Sequence, residues 1–197
     1  MIVHRSFWVP PLVEVKQLNE RSYHNVIRTV KMINLEPKHK EVVLIGDGPS
    51  SEIIYKKPGF TRDKSICVIN RAGLKWKYDA DYWGSFHSKK MLLWYLRRQD
   101  MGLTDIYPIL FNTNYEMEVA KVPFYYVNYN REGIHEGGSS SYYSTWTLLK
   151  MGYEHVHLFG VDLSANYQHF RQAWKTLRGK PLTFYGDQWF HQEDFRA

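Results

Sequence analysis

Apolar and polar residues change rhythm several times along the chain. Across residues 13–35, Leu18, Val26, Ile27, Val30 and Ile33 recur at roughly helical spacing. This predicts an amphipathic helix with a broken first half, ended by Pro37 and the Lys38-His39-Lys40 cluster. The texture then switches. Glu41-Val-Val-Leu-Ile-Gly46 is a short β-branched run bounded by glycine, and Ser65-Ile-Cys-Val-Ile-Asn70 repeats the pattern, as strands buried on both faces do. Between them, residues 51–57 predict a short helix and Pro58-Gly59 a turn. Further along, residues 81–87, 105–111 and 124–128 predict strands and residues 88–99 and 140–151 predict helices. Glu154-His-Val-His-Leu-Phe-Gly160 predicts a last strand that alternates before it ends at glycine.

Strands that alternate with helices imply an α/β fold in three layers, a mostly parallel sheet covered on both faces. No internal repeat, low-complexity tract or linker marks a boundary, so one domain is expected over residues 1–197. It comprises the helix at 13–35, a core at 41–164 and a C-terminal lid or acceptor segment at 165–197. The Gly137-Gly138-Ser-Ser-Ser141 patch leads straight into a helical pattern, and reads as a loop feeding a helix start.

Composition narrows the classes. Hydrophobic residues at 44% and charged residues at 23% are ordinary for a globular chain, which removes disordered, collagen-like and mucin-like classes. The single cysteine, Cys67, excludes an intramolecular disulfide framework and cysteine-rich zinc modules. A net charge of +6 favours an anionic partner such as a nucleotide, a nucleic acid or a membrane surface. The 15 Tyr and 7 Trp supply stacking surfaces or core volume. Met1 to Gln17 carries Pro10-Pro11 and charges instead of an apolar leader, and no run approaches the roughly 20 apolar residues of a membrane span. A cytoplasmic protein is expected.

In open parallel sheets ligands bind beyond the carboxyl ends of the strands, so the residues after each apolar run are the ones to inspect. They are Gly46-Asp47-Gly48-Pro49-Ser50, Asn70-Arg71-Ala72-Gly73, Ser85-Phe86-His87 and Gly160-Val161-Asp162-Leu163-Ser164, joined by the serines at 139–141. Gly46 and Gly48 allow close approach to a phosphate, and Ser50 and Ser51 can cap the next helix and present its amides to an anion. The loop is neither a dinucleotide fingerprint, since Ser51 holds the place of the third glycine, nor a P-loop.

Other constellations compete. Asp79-Ala-Asp81 has the D-x-D form that holds a metal on nucleotide phosphates, a common triplet. His155 and His157 share one strand face as two metal ligands would, although burial beside the sheet serves equally. Cys67 reads as inert core. Lys38 to Lys40, Lys56-Lys57, Lys89-Lys90 and Arg97-Arg98 would line a nucleic-acid groove, or form a solvated helix face. No Gly-x-Ser-x-Gly elbow occurs.

Taken together, Val43-Leu-Ile-Gly-Asp-Gly-Pro-Ser50, Val68-Ile-Asn70, the Gly138-Ser-Ser-Ser141 loop and Met151-Gly-Tyr-Glu-His-Val-His-Leu-Phe-Gly-Val-Asp162 resemble two related families. These are the bacterial sialyltransferases with a G-N-G-P-S loop and the archaeal hydroxymethylpterin diphosphokinase-like proteins. Asp81 to His87 is similar to a segment of small bacterial and phage-encoded members, which for a phage protein would mean the host cytoplasm. The resemblance implies a Rossmann-like fold. It implies a nucleotide or nucleotide sugar as donor, with Gly46, Asp47, Gly48, Pro49 and Ser50 at its phosphates and Asn70 near its sugar or base. Ser139, Ser140 and Ser141 would hold the other end of the donor, with Asp162 on the same edge. It implies a histidine base on an acceptor hydroxyl, for which His169 and His191 are the candidates. The expected activity is a sialyltransferase-like glycosyltransferase acting on a glycan, a small alcohol or DNA, with no metal. The alternatives are a Mg2+-dependent diphosphokinase acting on a small alcohol such as a pterin, with oxygen ligands from Asp47, Asp79, Asp81 or Asp162, and a non-enzymatic nucleic-acid-binding module. Two departures stand out: Asp47 replaces the family's Asn, and Gly138-Ser139-Ser140 replaces a Ser-Gly pair. The short chain after Asp162 leaves the acceptor site open or completed by a second subunit, as in a homo-oligomer.

Overall fold

A computed structural model describes residues 37–103, 106–110, 125–127, 139–162 and 171–186. The helix expected at 13–35 lies outside the described residues. Among those described, seven strands form one sheet: β1 (Glu41–Ile45), β2 (Ser65–Ile69), β3 (Tyr82–Ser85), β4 (Tyr107–Leu110), β5 (Tyr125–Tyr126), β6 (His155–Phe159) and β7 (Leu182–Tyr185). Their order is β5-β4-β3-β2-β1-β6-β7, and every neighbouring pair is parallel. The helices are α1 (Ser51–Lys56), α2 (Ala72–Lys75), α3 (Ser88–Asp100), α4 (Ser140–Lys150) and α5 (Arg171–Lys175), with a short 3-10 helix at Pro58–Thr61. This is a Rossmann-like three-layer α/β fold. The chain winds outward from β1 to β5, then returns to lay β6 on the opposite side of β1, so a topological switch point lies between β1 and β6.

Both faces of the central strands are dry, which explains why β1 and β2 read as unbroken apolar runs. Val42, Leu44, Cys67, Ile69, Val156 and Leu158 join one core with Tyr142, Leu148 and Trp174. Val43, Ile45, Ile66, Val68 and Phe159 join the other with Ile54, Trp76 and Met91. Each such aliphatic side chain contributes about 1.5–3 kcal/mol on burial.

Apart from the helix expected at 13–35, the predicted strands and helices are present, with ends that differ by one to a few residues. Three elements were not anticipated: the single-turn helices α2 and α5, and the edge strand β7. One expectation is corrected: Arg98, placed on a solvated or nucleic-acid-facing surface, is buried at 2% exposure. Its guanidinium donates to the carbonyls of Gly73, Trp76 and Tyr78 at 2.5, 2.7 and 2.9 Å, fastening the segment after β2 to α3. No helix among the described residues is long and apolar enough to cross a membrane.

Candidate functional site

The loop after β1 meets the loop after β6 at the switch point. Gly46 N donates to Phe159 O at 2.6 Å and Gly48 N to Gly160 O at 3.0 Å, so the two backbones leave their strands zipped together. Gly48 is required there, because a Cβ would overlap Asp162 Oδ2 and stand 2.8 Å from Gly160 O. Ser50 then locks the start of α1: its amide donates to Asp162 Oδ2 at 2.8 Å, and its hydroxyl accepts from Gly160 N at 2.7 Å. Ser51 Oγ donates to Gly48 O at 2.7 Å. The sequence expectation that Ser50 and Ser51 cap this helix and present its amides to an anion therefore does not hold: the Ser50 side chain makes no cap hydrogen bond, and the Ser51 amide donates to Gly48 O at 3.0 Å. Their donors are committed to protein acceptors, and the carboxylate of Asp162 stands where an anion was expected.

The second rim is built by β2, β3 and α4. Asn70 sits in the left-handed region at φ 49°, a conformation that Asn tolerates better than most side chains. Its carbonyl accepts from Trp83 Nε1 at 2.7 Å and from Gly73 N at 3.3 Å, fixing the turn into α2. Its Oδ1 accepts from Ser85 Oγ at 3.0 Å. The chain continues to α4 through Phe86, whose amide donates to Ser140 Oγ at 2.9 Å. Ser139 caps α4, accepting from Tyr142 N at 3.4 Å, and shares a 2.7 Å hydrogen bond with Ser141 Oγ. Asn70, Ser85, Ser140 and the start of α4 thus form one connected polar rim across the carboxyl ends of β2 and β3.

Asp47 carries a feature that sequence reading missed. Arg71 approaches its Oδ2 through Nη2 at 2.7 Å and Nε at 2.8 Å, and Lys75 Nζ pairs with Oδ1. The two cations are i and i+4 on the turn of α2, so one helical face delivers both. The only sequence signal was that spacing, since their meeting with Asp47 is a tertiary event. Nearby, burial raises the pKa of Tyr55, with a smaller push from the charges of Asp47 and Glu52, and its phenol stays protonated.

Other candidates fall elsewhere. Asp79 and Asp81 precede β3 at the amino edge of the sheet, away from the switch point. Asp81 Oδ2 accepts from Ile66 N at 2.9 Å and Oδ1 pairs with Lys38 at 2.8 Å, so Asp81 ties strands together at that edge. The magnesium set drawn from Asp47, Asp79, Asp81 and Asp162 is therefore split between opposite edges. His155 and His157 do share a face of β6, and both reach protein partners. His155 Nε2 meets Thr183 Oγ1 at 2.8 Å; His157 lies between Glu41 Oε2 at 3.0 Å and Tyr185 OH at 3.1 Å. Since a carboxylate only accepts, Nε2 of His157 carries the proton, and in the neutral ring Nδ1 accepts from the Tyr185 phenol. Among the described residues no group of three or more His, Cys, Asp or Glu could hold a metal ion. Of the aromatic residues that could supply stacking surface or core volume, Tyr142, Tyr143 and Trp174 are core, whereas Trp146 and Tyr185 are half-buried. His169, His191 and Trp189 lie outside the described residues.

No protein-family model and no curated protein matches the chain. Among solved structures, it is similar to the sialyltransferase CstII from Campylobacter jejuni in complex with a substrate analogue, CMP-3FNeuAc. Identity is 15% and the TM-score 0.48, over 74% of this chain and 78% of that one.

Proposed function

We propose that this chain is a transferase that takes a nucleotide-activated sugar as donor and binds it along the carboxyl edge of the sheet. The observation that supports this reading is a convergence. Residues 46–50, Asn70, 139–141 and 160–162 are far apart in sequence, carry the sialyltransferase-like motifs, and belong to two hydrogen-bonded rims on one edge beside the switch point. That is where open α/β sheets bind their ligands. With Gly48 and Ser50 committed to the β6 loop, the first rim acts as a rigid wall, and the donor lies toward Asp47, Asn70 and the α4 start. There the helix dipole and the Ser139 and Ser140 segment favour negative charge. Asn70 orients the donor, and His169 or His191 deprotonates the acceptor hydroxyl.

The test is a thermal-shift panel of nucleoside mono-, di- and triphosphates and nucleotide sugars, run with magnesium and with chelator, followed by donor turnover for the best ligand. Binding to the folded state adds about 2.7 kcal/mol at a hundredfold excess over Kd. The expected result is metal-independent stabilisation by a nucleotide sugar and its nucleotide, with turnover lost in His169→Ala or His191→Ala. A panel without any stabilisation overturns the proposal.

A further inference from the structure

Asp47 raises a physical problem for any anion at this edge: a carboxylate at the mouth of a phosphate site repels its ligand. The structure answers it. Asp47 is the inner member of the trio, with its side chain 24% exposed, while Arg71 and Lys75 are on the outside at 64% and 47%. An anion arriving from solvent therefore meets the guanidinium and the ammonium first. Two cations face one carboxylate, so the trio keeps a net positive charge. Arg71 also retains donor positions beyond the two that reach Asp47, as a five-donor fork does. The trio is fixed in place by the Asn70 turn, whose carbonyl is held by Trp83 and Gly73, and by Arg98 on the Gly73 carbonyl.

We infer that Arg71 and Lys75 are the residues that grip the phosphate of the bound nucleotide, and that Asp47 is a built-in counter-anion that holds both cations in position and sets how strongly they attract it. This rests on the nucleotide reading of the carboxyl edge, and it gives the grip on the phosphate to Arg71 and Lys75, which lie outside the family-like motifs. The same carboxylate gives the site a sensitivity to ligand charge. Each added negative charge on the ligand gains from Arg71 and Lys75 and loses against Asp47, so removing the Asp47 charge must help a triphosphate more than a monophosphate and a bare nucleoside not at all. Coulomb's law in a water-like dielectric, at a separation of about 6 Å, gives on the order of threefold in affinity per unit of ligand charge.

The experiment is titration calorimetry at low and moderate salt. The probes are each ribonucleoside and its 5′ mono-, di- and triphosphate, against the wild-type chain, Asp47→Asn, Arg71→Ala, Arg71→Lys and Lys75→Ala. Circular dichroism checks the fold of each. Asn at 47 keeps an oxygen acceptor for both cations. Expected are a tightening in Asp47→Asn that climbs from mono- to triphosphate with the nucleoside unchanged, and a loss on the order of tenfold for phosphate forms in Arg71→Ala, partly restored in Arg71→Lys. A smaller loss is expected in Lys75→Ala. If Arg71→Ala and Lys75→Ala bind nucleotides as wild type does, or if Asp47→Asn shifts nucleoside and nucleotides alike, this inference falls while the nucleotide reading stands. If neither nucleosides nor nucleotides bind the wild-type chain, both fall together. Should Asp47→Asn not fold, the nucleoside-against-nucleotide comparison in the two cation variants decides alone.

Discussion

The Ser50 amide donates to Asp162 Oδ2 at 2.8 Å, joining the loop after β1 to the loop after β6 at the point where the sheet reverses its winding. The bond satisfies one of the unpaired donors at the start of α1 and supplies a carboxylate to the positive end of its dipole. The Ser50 hydroxyl, accepting from Gly160 N, doubles the tie, so one serine fixes the geometry of both loops.

Asp162→Ala removes the acceptor and leaves the Ser50 amide in a part-buried setting. A charge-assisted hydrogen bond of this kind contributes about 1.5–3 kcal/mol, and the loss should fall in that range in urea unfolding. Asp162→Asn keeps an oxygen in place and should lose less than half as much. Equal losses in the two variants would show that the charge, and not the hydrogen bond, carries the interaction.

How far the sequence foretold this arrangement depends on whether an element carries its own signal. β1 and β2 were legible because strands buried on both faces need continuous apolar runs, β6 because it alternates up to a glycine, and α3 and α4 because they are long enough to show a period. β7 was not: Leu182-Thr-Phe-Tyr185 is four half-buried residues on an edge, too short for alternation to stand out. α2 is a single turn containing Gly73 and has no period to read. The carboxyl-edge clusters were found because glycine, asparagine and serine after an apolar run are local features. That Gly48 and Ser50 spend their amides on the loop after β6, and that Arg71 and Lys75 gather on Asp47, depends on tertiary partners that no local pattern encodes.

Gly84 and Ser144 are predicted to be coupled. A Cβ on Gly84 would overlap Ser144 Oγ and stand 3.3 Å from Ser144 Cβ, so Gly84→Ala pushes α4 off the sheet. The cost should be about 1–3 kcal/mol. Ser144 Oγ is buried and has no hydrogen-bond partner among the described residues, so Ser144→Ala should be neutral or slightly stabilising. The double variant should recover about 0.5 kcal/mol or more of the Gly84→Ala loss, measured as a coupling energy in a double-mutant cycle. Strict additivity would mean that α4 is not the element that yields.

Arg98 carries a prediction about the link between the core and the Asn70 turn. Arg98→Met preserves much of the side-chain bulk but removes the donors to the Gly73, Trp76 and Tyr78 carbonyls, which then lose their partner in a buried setting at Gly73 and Trp76 and a part-buried one at Tyr78. The loss of stability should be about 3 kcal/mol or more. Hydrogen exchange should locate it: amides of residues 70–78 should exchange faster than those of β1 and β6. Uniform acceleration over the whole sheet would show that Arg98 acts on global stability without a local role.

His155 of β6 and Glu41 of β1 give the fold an acid-side weakness whose sign follows from their surroundings. Burial lowers the pKa of His155 from its ordinary 6.5, helped by the neighbouring His157 and opposed by Glu41. Lys64, paired with Glu41, and the Tyr185 phenol also face this cluster. The unfolded chain therefore takes up a proton at His155 at a higher pH than the folded chain does. Stability falls as pH drops below about 6.5, and this contribution levels off once pH is below the folded pKa. Glu41 acts at lower pH. Its hydrogen bond from His157 holds its pKa below the ordinary 4.5, assisted by Lys64, so its contribution is complete above about 4.5 and is lost as pH falls through the folded value. Melting temperatures measured from pH 8 to pH 4 should thus be flat above neutrality and decline through the weakly acidic range, with a second decline at the acid end. His155→Gln keeps a side chain able to reach Thr183 and cannot take up the proton. It should flatten the first decline and leave the second, whereas a first decline of unchanged slope in His155→Gln would assign it to another group.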